Sequence, residues 1–251
     1  MKTLKFEFRK LFKSKALYVC SALSIIFTLL SVYIKSQSDN PVNTFSAEDS
    51  LMSAFDNGMI PILISIFIPL FVCEDNNLGT LKNIYAKGFS RTKLWISKYI
   101  VSFVAFTIFS CLAFATSYIS AGHYFGHTDE VSKYFNYSIS GQILLMIAYH
   151  AMYFMIATLV GKAGVAIAIN MIGLSVVTLT FSAVDALQDF VDIDFSKYLL
   201  DNVWTYVSHV DVYVDVYADD RPSFQFVLVI SLVYTVLSFV SSIIVNSRKQ
   251  L

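Results

Sequence analysis

The chain has 251 residues, of which 56% are hydrophobic and only 14% are charged, and its 18 Lys and Arg residues balance its 18 Asp and Glu residues. A soluble globular domain carries about a quarter charged residues, so this composition argues against one. The apolar residues also cluster in long runs, which is typical of membrane-spanning helices.

Six apolar runs predict an all-α membrane protein with six transmembrane helices, folded as a single membrane domain over residues 1–251. The runs are Ala16–Ile34, about Met59–Cys73, Tyr99–Ser120, Gln142–Gly161, Val165–Leu187 and Gln225–Asn246. Five approach the roughly 20 residues that a helix needs to cross the hydrocarbon core of a bilayer. The second is short unless its helix begins near Leu51, and Pro61 and Pro69 inside it predict a bend.

Residues 1–15 precede the first run and predict an amphipathic helix. Apolar and cationic side chains recur at helical spacing on different faces: Leu4, Phe8, Leu11 and Phe12 on one, and Lys2, Lys5, Arg9 and Lys13 on the other. Such a helix can lie in the headgroup layer with its cations near anionic lipid. The alternative is that these charges only orient the chain in the membrane.

The distribution of cations between the loops predicts the topology. Fourteen of the 18 Lys and Arg residues fall on one side: six in residues 1–15, five in residues 74–98, Lys162, Arg248 and Lys249. Because cytoplasmic loops carry the excess of Lys and Arg, both termini are predicted to be cytoplasmic. The acidic residues fall mostly on the other side, chiefly in a long outer loop over residues 188–224.

The loop between the second and third runs, residues 74–98, is charged and amphipathic. Its apolar residues recur at intervals of three and four, which predicts one face of a short helix: Leu78, Leu81, Ile84 and Tyr85. Gly88 predicts the end of this helix, and Ser90 predicts the N-cap of the next. Two helices with a break between them would offer another protein a rigid element to push. An ordinary positively charged loop is the alternative.

Short motifs follow one another in this region in a characteristic order. They are Glu74, Gly79-Thr80-Leu81-Lys82, Ser90-Arg91 and Lys98. In this order they resemble the permease subunits of ABC-2 type transporters, including small bacterial exporters of peptide toxins and bacteriocins. The basic segment Phe6–Lys15 is similar to the cytoplasmic elbow helix of that family.

The resemblance implies a transport subunit rather than an enzyme. Two copies, or two different permeases, would pair, and each would seat its coupling helix in a separate ATPase subunit. The residues that the resemblance assigns to coupling are Glu74, Leu78, Gly79, Thr80, Leu81, Lys82, Ile84, Tyr85 and Arg91. Arg91 is the expected partner of the Glu74 carboxylate. The sequence lacks a G-x-x-x-x-G-K-[ST] motif, so ATP and Mg²⁺ are expected on the partner ATPase and no cofactor on this chain.

The resemblance also implies a place and a cargo. The protein would lie in the bacterial cytoplasmic membrane, in contact with the lipid bilayer, and would move an amphipathic peptide or a lipid-like molecule out of the cell. Export of antimicrobial peptides, with resistance to them, fits this description. No nucleic-acid partner is expected.

Polar residues within the spans suggest a transport path. Tyr149 and His150 lie in the fourth run and Asn170 in the fifth, and buried polar groups in spans default to functional hypotheses. The alternative is that they form hydrogen bonds between helices. In the outer loop, Asp211, Asp215 and Asp219 predict an acidic rim, with Trp204 and Tyr206 near the headgroups.

Two other classes of protein compete with the permease interpretation. A secondary transporter or an ATPase-independent immunity protein would need no coupling helix, and a proton-coupled transporter usually has a carboxylate near the bilayer centre, which these spans lack. An intramembrane metalloprotease needs several ligands within the bilayer. His150 is the only histidine in a predicted span, so no metal site is expected.

Overall fold

The computed structural model describes residues 2–37, 46–88, 90–128, 134–173, 176–180, 196–208 and 222–248, and over these ranges the chain is helical and has no strand. In chain order the α-helices are α1 Lys2–Lys13, α2 Lys15–Ser36, α3 Ala47–Met52, α4 Ala54–Asn57, α5 Ile60–Asn77, α6 Leu81–Ala86, α7 Arg91–Phe125, α8 Phe135–Val160, α9 Ala163–Ala168, α10 Leu200–Ser208 and α11 Phe224–Arg248. A π-helical turn, Ile169–Gly173, continues α9, and residues 176–180 are again α-helical.

Within the described ranges, six helical segments are long and apolar enough to cross a membrane, which confirms the all-α class and the six predicted spans. They are α2, α5, α7, α8, the segment Ala163–Thr180 that begins with α9, and α11. The end of the fifth predicted span, residues 181–187, lies outside the described residues.

The second span begins at Ile60, next to the predicted start at Met59. It does not begin near Leu51, because α3 and α4 precede it and the chain turns at Met59, whose φ is +48°. Pro61 therefore lies in the first turn of α5, where its missing N–H is not needed, and only Pro69 lies inside the helix. The helix also continues four residues beyond Cys73, to Asn77.

The third span is longer than predicted, because α7 begins at Arg91 rather than at Tyr99. Its first turns expose Arg91 and Lys93 and bury Leu94 and Trp95, so they are amphipathic rather than uniformly apolar. Ser90 is the N-cap residue, as predicted, although its side chain makes no capping hydrogen bond.

Helix α8 lies at the centre of the bundle and packs along α5, α10 and α11, while α2 and α1 pack against α7. Its inward side chains are completely buried, among them Leu145, Met146 and Phe154. Gly161 ends the helix at φ +69°, and the chain enters α9 two residues later, so the fourth and fifth spans form the tight hairpin that the short link predicts.

Helix α10 docks the start of the long outer loop onto the bundle. Trp204 is buried between Phe55 and Tyr149, and its Nε1 donates to Oδ1 of Asp56 at 3.0 Å. The Trp204 ring thus packs inside the protein, and its depth near the headgroups stays a prediction. Asp211, Asp215 and Asp219 lie outside the described residues.

Gly58 marks a close approach between the end of α4 and α7. A Cβ at this position would lie 2.9 Å from Cβ of Ala113 and 3.2 Å from both the carbonyl oxygen of Ala54 and Oγ1 of Thr28. We expect Gly58→Ala to destabilise the protein by about 1–3 kcal/mol, because a tightly packed core resists an added methyl group. The measurement is the thermal unfolding midpoint in mild detergent.

Gly164→Ala is the matched control. A Cβ at Gly164 meets no atom within 4 Å, and the residue lies on an exposed face of α9. The substitution is expected to leave the midpoint unchanged or to raise it slightly, since alanine favours helix. Equal midpoints for the two variants would show that α4 does not approach α7 this closely.

Candidate coupling site

The short helix predicted in the loop between the second and third spans is present, but it is shorter than predicted. It begins at Leu81 rather than at Leu78, and it ends at Ala86. Gly79 at φ +65° and Gly88 at φ +82° turn the chain before and after it. Glycine adopts such angles without steric cost, so these two residues set the length of α6.

Leu78 does not share a face with the other apolar residues of this loop, contrary to the prediction. It is the C-cap residue of α5, and 68% of its surface is exposed. Ile84 is only 9% exposed, because α6 turns this side chain toward the bundle. The chain therefore presents Leu78 and Gly79 outward, while Ile84 anchors α6 to the membrane helices.

Tyr85 and Leu81 line a cavity of about 310 Å³ between α6 and the bundle. Trp95, Lys98 and Gly161 are among the other residues around it. Arg91 lies on the same wall, with its guanidinium 5.3 Å from the centre of the Tyr85 ring. The Lys82 side chain lies outside the described residues.

Thr80 connects α6 to the end of α5. Its backbone N–H donates to the carbonyl oxygen of Asp75 at 2.9 Å, and its hydroxyl donates to the same oxygen at 3.2 Å. On the other side, the Asn76 side chain donates to the carbonyl oxygen of Gly161 at 2.5 Å. The end of α5 is thus bonded both to α6 and to the end of α8.

A buried cluster of charges lies beside α6 and joins three helices. Asp75 at the end of α5 pairs with Lys98 of α7 at 2.5 Å and with Lys10 of α1 at 2.8 Å. The side chains of Asp75 and Lys98 are each only 7% exposed. Lys98 also donates to the carbonyl oxygen of Val72 at 3.0 Å. These contacts tie the amphipathic helix α1 to two membrane spans.

Glu74 occupies the rim of this cluster, and its partner differs from the one predicted. Its carboxylate pairs with Lys10 at 3.1 Å, whereas the Arg91 guanidinium lies over Tyr85. The Glu74 side chain is 42% exposed. Burial lowers the pKa of Lys10, but the hydrogen bond and the charge of Asp75 more than offset it, so Lys10 stays a cation.

Glu7 of α1 is the fifth member of the cluster and is completely buried, with no hydrogen-bond partner for either carboxylate oxygen. Burial raises the pKa of Glu7 from 4.5 to about 7. The charges of Lys98 and Lys10 lower this pKa, and the charges of Asp75 and Glu74 raise it further. The face of α1 that packs on the bundle therefore carries Glu7 and Lys10 as well as the predicted Leu11.

We expect Glu7→Gln to stabilise the protein at pH 8 and to have little effect at pH 5. The native state holds the Glu7 proton more tightly than the unfolded state, so its ionisation destabilises the fold progressively between pH 4.5 and 7 and fully above pH 7. The shift corresponds to about 3 kcal/mol at most. Thermal unfolding midpoints across this pH range measure the effect.

Lys5→Gln on the exposed face of α1 is the control for a change of charge alone. It is expected to shift the midpoint little and by the same amount at every pH. A Glu7→Gln variant that lost stability at pH 8 would contradict the burial of an ionised Glu7.

A comparison with protein families identifies this arrangement. The family model for ABC-2 family transporter proteins matches residues 3–177, which include α1, the charge cluster and α6. The chain belongs to this family. A search of curated proteins finds no match to the chain.

The protein is therefore the transmembrane subunit of an ABC transporter, a multi-pass ABC-2 permease and not itself a catalyst. The residues that carried the sequence resemblance lie together at one end of the bundle. Asp75, Lys10 and Glu7 were missed by the sequence analysis. The available signal was helical phase, because Asp75 falls four residues after the buried Phe71 on α5.

The residues predicted to line a transport path separate into two groups. Tyr149 and Asn170 line one cavity of about 450 Å³ at the end of the permease opposite the charge cluster. His150 does not line it. Its Nε2 lies 3.0 Å from Oγ of Ser102, and its ring is enclosed by Tyr99 and Phe103. His150 therefore packs the core, and a role for the other two in transport stays a prediction.

No metal site accompanies these residues in the part of the permease that the structure describes. Over those ranges, no three His, Cys, Asp or Glu side chains are placed to hold an ion. One histidine lies beside a carboxylate: Nδ1 of His127, an exposed side chain, is 3.2 Å from the carboxylate of Glu48. The same carboxylate accepts a hydrogen bond from the backbone N–H of Thr128.

Proposed function

We propose that this permease is driven by a separate ATPase subunit that binds the exposed turn at Leu78 and Gly79 together with α6, on the cytoplasmic side of the membrane. The observation that carries the proposal is the contrast between these neighbours. Leu78 at the end of α5 is 68% exposed, whereas Ile84 and the Asp75–Lys98 ion pair behind it are buried. An apolar contact outside and a rigid attachment inside are what transmission of force requires.

The bonds around Asp75 provide the route for this force. A push on α6 reaches the end of α5 through the two hydrogen bonds from Thr80 to the Asp75 carbonyl oxygen. From there the ion pairs of the Asp75 carboxylate carry it to Lys98 on α7 and to Lys10 on α1. Three helices would then move together, and the cavity of about 310 Å³ beneath α6 leaves room for that movement.

The proposed activity is export of an amphipathic or hydrophobic cargo, such as a peptide toxin, an antimicrobial peptide or a lipid-like molecule, by two paired permease chains in a bacterial cytoplasmic membrane. The 14 cations on the side of α6, against four on the other, support its cytoplasmic placement. Protection of the cell against such a peptide would follow from its export.

Purification from the native membrane tests the proposal. The tagged permease, extracted in mild detergent, is expected to co-elute with a subunit that carries a P-loop and hydrolyses ATP. Vesicles that contain both should then accumulate labelled amphipathic peptide only with ATP present. A pure permease that protects cells without any ATPase would overturn the proposal and favour an ATPase-independent immunity protein or a secondary transporter.

A further inference from the structure

A second cavity opens at the end of the bundle opposite the charge cluster. Its volume is about 450 Å³, which is within the range of sites for small organic ligands. Its walls come from five parts of the chain: α4, the turn at Met59 with the start of α5, the middle of α8, the π-helical turn and α10. Tyr149, Tyr153 and Trp204 supply aromatic surface, and Asp56 and Asp201 supply carboxylates.

The charge of this cavity is one-sided. Among the residues that the structure describes, no Lys or Arg lines it. Asp56 accepts a hydrogen bond from Trp204, and its charge interacts with Lys35, which lies outside the lining. Asp201 is exposed and lies 3.5 Å from the Tyr149 hydroxyl, and no ion pair compensates it within the described ranges. The cavity therefore attracts a cation and repels an anion.

Asn170 gives an independent sign of a ligand. Its side chain is only 2% exposed, and its Nδ2 donates to the Ser65 carbonyl oxygen at 3.1 Å, while its Oδ1 accepts no hydrogen bond from any residue that the structure describes. A buried acceptor without a donor costs free energy unless another molecule supplies one. An ammonium or guanidinium group has hydrogen-bond donors and no acceptor, so it can supply the donor that Oδ1 of Asn170 lacks.

Backbone irregularities coincide at the same cavity. Asn170 lies in the π-helical turn Ile169–Gly173, and such turns occur frequently at functional sites. Met59, on the opposite wall, has φ +48°, a strained angle for a residue with a side chain.

We propose that this cavity binds an organic cation, the ammonium or guanidinium group of an amphipathic ligand. The carboxylates of Asp201 and Asp56 face the charge, Asn170 accepts a hydrogen bond from it, and the rings of Tyr149, Tyr153 and Trp204 contact the apolar part of the ligand. This inference deepens the proposed function, because it assigns a cationic character to the cargo. Only the identification of the bound ligand as the exported cargo rests on that proposed function.

Three ligands of the same shape and different charge test the proposal by direct binding, without ATP or an ATPase. They are 4-phenylbutylammonium, 4-phenylbutanol and 4-phenylbutyrate. The chain has two tryptophans, and Trp204 lines this cavity whereas Trp95 lines the other. In a Trp95→Phe background, the fluorescence of Trp204 reports on this cavity alone. Calorimetric titration of the unaltered chain gives a second measurement should that variant fold poorly.

The ammonium ligand is expected to bind at least about tenfold more tightly than the alcohol, and the carboxylate ligand is expected not to bind. Asp201→Asn should remove most of this preference while leaving the alcohol unaffected. Glu48→Gln, which removes an acidic residue of α3 that does not line the cavity, should preserve it.

Equal affinities for the ammonium ligand and the alcohol would overturn the proposal, as would unchanged ammonium binding by Asp201→Asn. A Trp204→Phe variant, in which only Trp95 remains, is expected to show no fluorescence change; a change of the same size at the same ligand concentrations would show that the ligand acts outside this cavity and would overturn the proposal as well. Because the assay needs no ATPase, each of these results would leave the coupling proposal standing, and failure to find an ATPase would leave this site standing.

Discussion

Asp75→Asn is expected to lower the free energy of unfolding of the permease by about 3 kcal/mol or more, the largest stability effect of any single substitution proposed for this protein. Removing one member of a buried ion pair leaves its partners charged and without compensation. Here Lys98 loses the carboxylate that pairs with it, and Lys10 keeps only the partly exposed Glu74. Denaturant titration in detergent, followed by tryptophan fluorescence, measures the loss.

Glu74→Gln is the matched control, because the neighbouring carboxylate pairs with the same Lys10 but is 42% exposed. A partly exposed ion pair contributes about 1 kcal/mol or less. The double variant Asp75→Leu/Lys98→Met, which removes both charges, is expected to recover part of the stability lost by Asp75→Asn. Equal losses for Glu74→Gln and Asp75→Asn would contradict the burial of the Asp75 pairs.

Leu78→Asp is expected to abolish transport while leaving the stability of the permease within about 0.5 kcal/mol of its original value. Leu78 contributes almost nothing to the core, so an aspartate there leaves the bundle intact. It places a charge in the apolar contact that the proposed ATPase makes. ATP-dependent peptide accumulation in vesicles and the amount of ATPase that co-purifies measure the effect.

Asn77→Asp is the control for added charge, since Asn77 is exposed and lies one residue away. It is expected to retain most of the transport. Ile84→Asp is a different kind of change, because it buries a charge against the bundle and is expected to destabilise α6 itself. Full transport by Leu78→Asp would contradict the proposed contact.

Much of the fold could be predicted from the sequence because lipid imposes a simple rule on it. A span needs about 20 apolar residues, so α2, α8 and α11 are visible as uninterrupted runs. The rule fails at Arg91–Lys98, where the first turns of α7 alternate charged and apolar residues. Mean hydropathy over these turns is too low for a span, so it predicts a loop. In the structure Leu94 and Trp95 are buried, as apolar residues of an amphipathic helix are in a soluble protein.

The coupling region was predicted in outline and missed in detail. The glycines at 79 and 88 mark the turns, but the apolar spacing alone assigned Leu78 to α6. The left-handed conformation of Gly79 instead separates Leu78 from that helix. The choice between Glu74 and Asp75 as the buried acid depended on where α5 ends. With the helix continuing to Asn77, the phase set by Phe71 turns Asp75 inward.

The second cavity could not be predicted, because its walls come from residues far apart in the chain. Trp204 follows the fifth span in a loop that composition alone describes as acidic and aromatic. Its burial depends on Asp56, 148 residues earlier, whose carboxylate accepts a hydrogen bond from the indole N–H. His150 shows the reverse error. A histidine within a span suggests function, yet the aromatic neighbours that enclose it are visible only in three dimensions.

Photo-crosslinking at position 78 tests the central claim most directly. A benzophenone amino acid in place of Leu78 reports what touches this side chain in the native cell. The control is the same group in place of Ile119, which is 71% exposed and lies on α7 about 40 Å from the start of that helix at Arg91. The account predicts that position 78 captures a subunit with a P-loop and that position 119 does not. Capture of lipid alone, or of further copies of this chain alone, at position 78 would contradict it.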